Sequence, residues 1–413
     1  MKDLFWKLDE KYVYFDNAAS TIPFKKVVEK TLEFMETYSS IHRGAGKFSV
    51  LSTERYENAR RTVLDFIHGK KKRDVVIFTS NTSEAINKMA QIFPFQKGDS
   101  VLISDIEHSA NYLPWLKYAN VITCKTNDNY QITAEAIECK LKENPTIKIV
   151  AIAGASNLTG LLTPVKEIYK ICKKYGVYLL IDASQMVSHV EVSLEDCDFI
   201  VFSGHKMYAP YGIGVLAGRY EVLQNTGMGS TGGGNVLYVS NENKSVYKEA
   251  PYNHEPGTPN GIGAVAIATA CEVIKEIGFN EISVHNDRMV KSMVQHWGNI
   301  DGIDLIFPNK FLVEKGIPHT PIGIINVRGK SNNEIAELLA KKNIGTRSGT
   351  FCLYRLIERI NKIDTSLSNK VYQKLIAKQM VKLPNEYELI RLSAGLMTTE
   401  EDIKYVADVL KSI

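Results

Sequence analysis

The sequence lacks the long apolar runs and the large charge imbalance that mark several classes of protein. No apolar stretch approaches the roughly eighteen residues that a membrane span requires, and residues 1–7 are charged and contain no secretory apolar core. Fifty Lys and Arg against 46 Asp and Glu leave a formal charge of +4, too little in 413 residues to indicate a nucleic-acid partner. We therefore expect a soluble, cytoplasmic protein that binds neither membrane nor nucleic acid.

Cysteine is also scarce, and its spacing excludes two kinds of site. The six cysteines include no C-x-x-C pair, which fits neither a zinc site nor a disulfide framework. We expect no metal, and we expect five of the six to be buried structural thiols. The cysteines are Cys124, Cys139, Cys172, Cys197, Cys271 and Cys352.

The chain has the length of two or three domains and a regular alternation of short apolar runs with helical patterns. Apolar runs that do not alternate with polar residues predict strands covered on both faces, and hence a mostly parallel sheet in an α/β fold. A glycine-rich stretch, 227–260, is interpreted as loops around a site. We predict a large α/β domain over 13–283 and a smaller α+β domain over 284–413, joined by the N-terminal segment 1–12.

Two strand ends carry groups that suit pyridoxal 5'-phosphate. Lys206 follows a buried strand, where partial desolvation lowers the pKa of its amine and favours Schiff-base chemistry. Asp182 ends another strand, where a carboxylate can keep the pyridine nitrogen of that cofactor protonated. Each residue alone has an ordinary interpretation, a surface lysine or a helix N-cap, but their pairing favours a cofactor site.

Two further segments complete this candidate site. The turn containing Thr82 and Ser83 joins a strand to a helix, and its hydroxyls and amides suit a phosphate group, although an ordinary N-cap has the same pattern. His108 follows a third strand and could stack on the cofactor ring, although a lone histidine is more often structural. The ordered set is more specific than any of its parts.

The ordered motifs extend over nearly the whole chain and carry a family resemblance. They resemble the class V, fold-type I pyridoxal-phosphate enzymes, and within them the group II (Suf-type) cysteine desulfurases and selenocysteine lyases. The motifs lie at 14–20, 41–44, 81–87, 107–111 with Pro114 and Trp115, 156–160, 179–185, 198–214 and 257–260.

The resemblance implies a role for each matching residue. Lys206 would form the internal aldimine, Asp182 would pair with the pyridine nitrogen, and Gln185 would bind the phenolic oxygen. His108 would stack on the ring, and Asn157 would lie near the substrate and the cofactor oxygen. The phosphate would be held by Thr82, Ser83, Ser203 and His205, and by Thr258 of a second subunit, which implies a homodimer with composite sites.

Cys352 lies in a segment that resembles the Arg-x-Gly-x-x-Cys element of group II desulfurases. Its thiolate could attack the sulfur of bound cysteine, which leaves alanine and an enzyme persulfide. Arg347 could stabilise that thiolate or a substrate carboxylate, and Arg391 occupies the place of the family's carboxylate-binding arginine. A buried, inert thiol and a surface ion pair are the ordinary interpretations of Cys352 and Arg391.

The chain departs from the family around Cys352. Its neighbours differ from the usual ones, and 39 positions separate Cys352 from Arg391, where the family has a much shorter connection. Apolar residues at helical spacing predict one or two amphipathic helices in this insertion. We expect them to cover the mouth of the site or to contact a partner subunit, unless they are an inert addition.

These patterns predict a homodimeric, pyridoxal-phosphate-dependent cysteine desulfurase that passes sulfur from Cys352 to an acceptor protein. One alternative is another class V reaction on an amino acid, such as an aminotransferase, lyase or epimerase reaction, that does not use Cys352. A second is a catalytically silent sulfur carrier or regulatory protein, which the intact set of Lys206, Asp182 and His108 disfavours.

Overall fold

The computed structural model describes residues 1–6, 9, 11–225 and 229–412. Residues 7, 8, 10, 226–228 and 413 are included in the ranges predicted above and lie outside the described residues. Among the described residues, no helix combines the length and the apolar character needed to cross a bilayer.

The strands are numbered in chain order. They are β1 (Val13–Tyr14), β2 (Asp74–Thr79), β3 (Ser100–Ser104), β4 (Asn120–Cys124), β5 (Ile147–Ala153), β6 (Tyr178–Asp182), β7 (Phe199–Ser203), β8 (Gly214–Arg219), β9 (Val236–Val239), β10 (Ser245–Tyr247), β11 (Ile303–Phe307), β12 (Ile322–Val327), β13 (Ile344–Gly345), β14 (Arg347–Gly349) and β15 (Leu389–Ser393).

The α-helices follow the same order. They are α1 (Lys25–Glu36), α2 (Lys47–Phe66), α3 (Thr82–Ile92), α4 (Ala134–Glu143), α5 (Val165–Lys174), α6 (Tyr220–Asn225), α7 (Gly261–Ile277), α8 (Phe279–Trp297), α9 (Lys310–Glu314), α10 (Asn332–Lys341), α11 (Tyr354–Ile360), α12 (Thr365–Ile376) and α13 (Glu400–Lys411).

The main sheet has seven strands in the order β2-β8-β7-β6-β5-β3-β4 within the described residues. Strand β8 runs antiparallel to both of its neighbours, and the pairs from β7 to β4 are parallel. Buried side chains alternate between the two faces: Val76 joins an apolar cluster with residues of α2 and α7, and Ile77 joins one with residues of α3. The two covered faces explain the uninterrupted apolar runs, and the predicted α/β fold with a mostly parallel sheet is confirmed.

A second, antiparallel sheet has the order β11-β12-β15-β14 and packs with α8, α10 and α13 around its own apolar cluster. The predicted domain boundary at residue 284 falls inside α8. Ile282 of this helix belongs to the main-sheet core, whereas Met289 and Trp297 belong to the second core. Near the N-terminus, Phe15 packs in the second core. The division into two domains stays a prediction.

Three local features differ from the sequence-based expectations. Strand β4 is absent from those expectations, because every residue of it except Cys124 is exposed or only partly buried and its apolar run is short. The described part of the glycine-rich stretch contains the hairpin β9–β10 in addition to loops. Cys139 is exposed on α4, with its sulfur 3.3 Å from Oε1 of Glu143, so four cysteines besides Cys352 are buried where five were expected.

Candidate active site

A cavity of about 330 Å³ opens at the carboxyl ends of the central strands of the main sheet. Strands β5, β6 and β7 end there, because parallel strands present their carboxyl ends at one edge of the sheet. Nine of the residues predicted from the sequence line this one cavity. They are Thr82, Ser83, His108, Asn157, Asp182, Gln185, Ser203, His205 and Lys206.

Lys206 ends a single 3₁₀ turn, Gly204–Lys206, that follows β7. The turn is tight because Gly204 donates a backbone hydrogen bond to Ile213 and a Cβ at Gly204 would lie 2.7 Å from the carbonyl of Ala209. Burial lowers the pKa of the Lys206 ammonium, and the Asp182 carboxylate opposes that shift. The amine is therefore more readily neutral, and more nucleophilic, than an exposed lysine.

Asp182 ends β6 and is 7% exposed. Its Oδ1 accepts a 2.9 Å hydrogen bond from the backbone N–H of Ser184, which fixes the carboxylate at the cavity wall. Gln185 follows on the same loop, is equally buried, and donates a 2.6 Å hydrogen bond from Nε2 to the carbonyl of Ala18. The strand end thus provides a buried carboxylate and an oriented amide.

Three hydroxyls meet at the N-terminus of α3. The Oγ1 of Thr82 lies 2.7 Å from the hydroxyl oxygens of both Ser184 and Ser203, and Ser203 also accepts a 2.8 Å hydrogen bond from the Thr82 N–H. Asn81 caps the helix by accepting from the N–H of Glu84. A helix N-terminus surrounded by hydroxyls suits an anionic group such as a phosphate. Ser184 was not among the predicted residues.

His108 and His205 both line the cavity. The Nδ1 of His108 accepts a 3.1 Å hydrogen bond from the N–H of Ala110, so the neutral ring carries its proton on Nε2. Burial and the nearby Lys206 charge lower the pKa of both imidazoles. The neutral form of both rings is therefore favoured, and a neutral His108 offers an uncharged face to a cofactor ring.

The buried residue before His108 was not singled out from the sequence. Glu107 accepts hydrogen bonds from the Ser104 hydroxyl, from Nδ2 of Asn111 at 2.7 Å and from the N–H of Ala153 at 3.0 Å. It therefore ties the end of β3, the loop that carries His108 and the end of β5 to one carboxyl group. Burial raises the pKa of Glu107 to about 7.

Arg391 lies in the middle of β15 and is 2% exposed. It donates from Nη1 to the carbonyl of Asn157 at 2.9 Å and from Nη2 to Asp16 at 3.3 Å, while its guanidinium lies over the ring of Phe351. Burial lowers the pKa of Arg391 to about 10. The buried Nε has no hydrogen-bond partner within the described part of the chain, so this arginine keeps an unused donor.

Asp16 joins Arg391 to Arg347, a role that no sequence motif indicated. Arg347 is half-exposed and donates from Nε and Nη2 to Oδ2 of Asp16 at 3.1 and 2.9 Å. This hydrogen bonding to Asp16 raises the pKa of Arg347 above its ordinary value. Two guanidinium groups therefore share one carboxylate, with the more buried one beside Asn157 at the cavity wall.

Cys352 is exposed and lies in a loop between β14 and α11. Its carbonyl accepts hydrogen bonds from the N–H and the hydroxyl of Ser109, both at 3.0 Å, so the loop is tied directly to the neighbour of His108. Asn157 donates from Nδ2 to the carbonyl of Phe351 at 3.0 Å. Although Cys352 does not line the cavity, its loop is held at the cavity wall.

The other cysteines have different surroundings. Burial raises the pKa of Cys124 to about 11 and that of Cys172 to about 12, and it raises the pKa values of Cys197 and Cys271 as well. Such thiols stay protonated and unreactive. Of the two exposed cysteines in the described residues, only Cys352 has its backbone tied to the cavity-lining loops.

Thr258 is the predicted residue that lies apart from this cluster. It is exposed on the loop before α7, next to Gly257, whose φ of +85° places it in the left-handed region. It does not line the cavity of its own chain. Its predicted contact with a second subunit stays a prediction.

Comparisons with known proteins agree with this geometry. The family described as aminotransferase class-V matches residues 13–406. A probable cysteine desulfurase of Borreliella burgdorferi is 32% identical over 374 residues, which are 86% of each chain. A cysteine desulfurase of Synechococcus elongatus is 34% identical over 84% of this chain and 55% of its own. The apo structure of a cysteine desulfurase from Thermococcus onnurineus superposes with a TM-score of 0.84 and 28% identity, covering 97% of this chain and 94% of that one.

Proposed function

The chain belongs to the aminotransferase class-V family, and from this premise we propose that it is a pyridoxal-phosphate-dependent cysteine desulfurase. In this proposal L-cysteine is converted to L-alanine, and its sulfur is left as a persulfide on Cys352. The observation that carries the proposal is the attachment of the Cys352 loop to Ser109 and Asn157, which holds this loop at the cavity wall. Of the two exposed cysteines in the described residues, Cys352 is the one whose loop has such contacts.

The residues of the cavity fit pyridoxal phosphate. Lys206 supplies a buried amine of lowered pKa, and Asp182 a buried carboxylate for the pyridine nitrogen. The hydroxyls of Thr82 and Ser203 at the N-terminus of α3 suit the phosphate. When bound, this cofactor withdraws electrons from the carbons next to the amino group of the substrate.

The remaining groups of the cofactor site are assigned in the same way. Ser83 and His205 line the cavity beside the α3 turn and would add contacts to the phosphate. Gln185 would bind the phenolic oxygen, and His108, held by its Nδ1 contact with Ala110, would stack on the ring with its proton on Nε2. Asn157 would contact the substrate side of the site, because its main chain and side chain already join Arg391 to the Cys352 loop.

The substrate carboxylate would bind at Arg391. A guanidinium binds a carboxylate bidentately, and the unpaired Nε of Arg391 offers a donor that no protein group satisfies within the described residues. Asp16 already accepts from Arg391 and Arg347, so it keeps both side chains oriented before the substrate arrives. The substrate therefore meets a preformed cationic site.

Cys352 would act as the sulfur acceptor. Its thiolate attacks the sulfur of the bound cysteine, an S–S bond forms, and the C–S bond of the substrate breaks. The electron pair of that bond stays with the carbon fragment, which takes up a proton and becomes alanine. Lys206, with its lowered pKa, is suited to hold and return protons in this cavity. The persulfide is then available to an acceptor protein.

Turnover of L-cysteine in the presence of a reductant tests this proposal. Sulfide and alanine are measured for the holoenzyme and for Lys206→Ala and Cys352→Ala. Cys139→Ala is the matched control, because Cys139 is the other exposed cysteine in the described part of the chain. We expect both site variants to lose turnover and the control to keep it.

Other outcomes point to other functions. A carbon–sulfur lyase would keep its turnover in Cys352→Ala and would release pyruvate instead of alanine. A protein without the yellow absorbance of the bound cofactor and without turnover would be a silent member of the family. Either result would contradict the desulfurase assignment.

A further inference from the structure

The helix that follows Cys352 is bound to the main sheet by a partly buried guanidinium contact. Arg359 of α11 donates from Nη1 to the hydroxyl of Thr126 at 2.6 Å, to the carbonyl of Thr126 at 3.2 Å and to Oδ2 of Asp105 at 3.3 Å. Its Nη2 donates to the carbonyl of Asn127 at 2.5 Å, and the group lies over the ring of Tyr130. Its Nη2 also lies 3.9 Å from Oδ1 of Asp128, so one side chain contacts five residues that follow β3 and β4.

A second arginine, one turn earlier on α11, makes a parallel set of contacts. Arg355 donates to the hydroxyl of Tyr112 and, at 3.3 Å, to the hydroxyl of Thr123 on β4. Its guanidinium lies 4.1 Å from the centre of the Tyr112 ring. Tyr112 follows the 3₁₀ turn Ser109–Asn111, which is the turn that holds the carbonyl of Cys352.

Apolar packing supports the same helix. Leu353, Leu356 and Ile357 are buried in a cluster with Ile106 and Leu158, residues of the loops that carry His108 and Asn157. The helix therefore rests on the two loops that form part of the cavity wall. By contrast, the buried residue of α12 is Val371 alone.

The loop between β14 and α11 has a backbone that needs such support. Phe351 and Cys352 both lie in the left-handed region, with φ of +52° and +57°, which costs free energy for residues with a Cβ. Their carbonyls are fixed by Asn157 and Ser109. Two consecutive left-handed residues persist only where the surrounding structure holds them in place.

We propose that Arg355 and Arg359 are positioning residues that hold Cys352 at the mouth of the cavity by fastening α11 to the main sheet. This inference rests on the proposed function, because it assigns the insertion to the sulfur-transfer step. The physical need follows from the left-handed backbone of Phe351 and Cys352, which persists only while its carbonyl contacts and the helix that continues from it stay in place. Attack on a substrate sulfur requires a thiol within close and directed reach.

Four variants test the proposal in the holoenzyme. Arg359→Ala removes the main anchor, Arg359→Lys restores the charge without the planar set of donors, and Asp105→Asn changes one acceptor while leaving the arginine in place. Arg328→Ala is the matched control, because Arg328 also pairs with an aspartate, Asp304, but on the second sheet. The readouts are kcat and KM for L-cysteine, the cofactor absorbance, and the rate at which iodoacetamide alkylates Cys352.

We expect kcat to fall about tenfold in Arg359→Ala while KM changes less than about twofold, because the thiol loses its position and the cofactor and carboxylate sites stay intact. Arg359→Lys and Asp105→Asn should give intermediate losses. The alkylation rate of Cys352 should rise about threefold or more as its loop is released. The alkylation rate of the exposed Cys139, measured in the same samples, should not change and serves as the internal reference.

Two results would overturn the inference. One is an unchanged kcat and alkylation rate in Arg359→Ala, even with a lowered melting temperature, since the anchor would then be only structural. The other is an equal change in Arg328→Ala. The alkylation measurement needs no turnover, so a failure of the proposed desulfurase function in the unaltered protein would be distinguished from a failure of the anchor.

Discussion

At the scale of single residues, Glu107 shows how burial can join a structural role to a pH dependence. Its carboxyl group is buried and organises three segments around the His108 loop. Burial raises its pKa from 4.5 to about 7, so the folded protein holds a proton there that the unfolded chain has already released. The protonated Glu107 therefore contributes to the free energy of unfolding. This contribution is complete below about pH 4.5 and is lost as the pH rises through about 7.

Glu107→Gln should remove that dependence. Between pH 5 and pH 8 the unaltered protein should lose about 3 kcal/mol of unfolding free energy relative to the variant, as an order of magnitude, because one pKa unit corresponds to about 1.4 kcal/mol. Urea unfolding of both holo-proteins across this range provides the measurement. Glu337→Gln, at an exposed position on α10, is the control and should run parallel to the unaltered protein. If the unfolding free energy of Glu107→Gln changed with pH just as that of the unaltered protein does, the raised pKa of Glu107 would be contradicted.

At the scale of secondary-structure elements, the α3 turn depends on a close approach of two backbones. Gly214 begins β8 directly beside Asn81, and a Cβ at this position would lie 2.6 Å from the Cα of Asn81 and 2.8 Å from its backbone nitrogen. No side chain can yield there, because the obstructing atoms are backbone. The position of the N-terminus of α3, and of the hydroxyls around it, is therefore set partly by a glycine on another strand.

Gly214→Ala should displace this turn and weaken cofactor binding. We expect the dissociation constant of pyridoxal phosphate to rise about tenfold or more, because a shift of about 1 Å in a binding group has effects of this size. Titration of the apo-protein with cofactor, followed by absorbance, measures it. Gly46→Ala is the control, since a Cβ at Gly46 meets nothing within 4 Å. Equal affinities in the two variants would show that the close approach does not matter.

The insertion contains two helices of different character. Both α11 and α12 form where the helical spacing predicted them. Helix α11 is fastened to the main sheet by Arg355 and Arg359, whereas the residues of α12 are mostly exposed. The expectation that the insertion covers the mouth of the site or contacts a partner subunit stays a prediction.

At the scale of the whole molecule, the candidate site lies where the two sheets meet. The main sheet brings Lys206 and Asp182 to the cavity. The second sheet brings Arg391 against Asn157 of the cavity wall, and the loop after β14 places Cys352 beside Ser109. Asp16, near the N-terminus, pairs with arginines of the second sheet. Thr258 is exposed and does not line the cavity of its own chain, which supports the proposal that a second subunit completes the site.

Mixed dimers test that proposal. Chains with Lys206→Ala and chains with Thr258→Ala are co-expressed with different tags, and the mixed dimer is isolated. If Thr258 serves the partner's phosphate, one of the two sites in the mixed dimer has both residues intact, and turnover should be about half that of the unaltered dimer. If Thr258 serves its own chain, or if the protein is a monomer, the mixture should not exceed the weak activity of the Thr258→Ala chains.

The local order of residues was sufficient to predict much of the candidate site. An apolar run followed at once by Asp182, and another followed by Ser203 and Lys206, identifies strand ends from neighbouring residues alone, and parallel strands bring such ends to one edge of a sheet. The α/β fold, the N-terminus of α3 and the helices of the insertion could also be predicted from the sequence, because their patterns depend on neighbouring residues.

Other features depended on packing between distant segments. Asp16 meets Arg391 across 375 positions, and Arg359 meets Thr126 across 233, so no sequence pattern joins the members of either pair. The raised pKa of Glu107 comes from its burial, and the exposure of Cys139 from the face of α4 that meets solvent. The sequence by itself determined which groups stand at the ends of strands, because that depends on adjacent residues. The tertiary structure decided which of these groups line one cavity, form ion pairs or hold a distant loop in place, because that depends on which distant segments pack together.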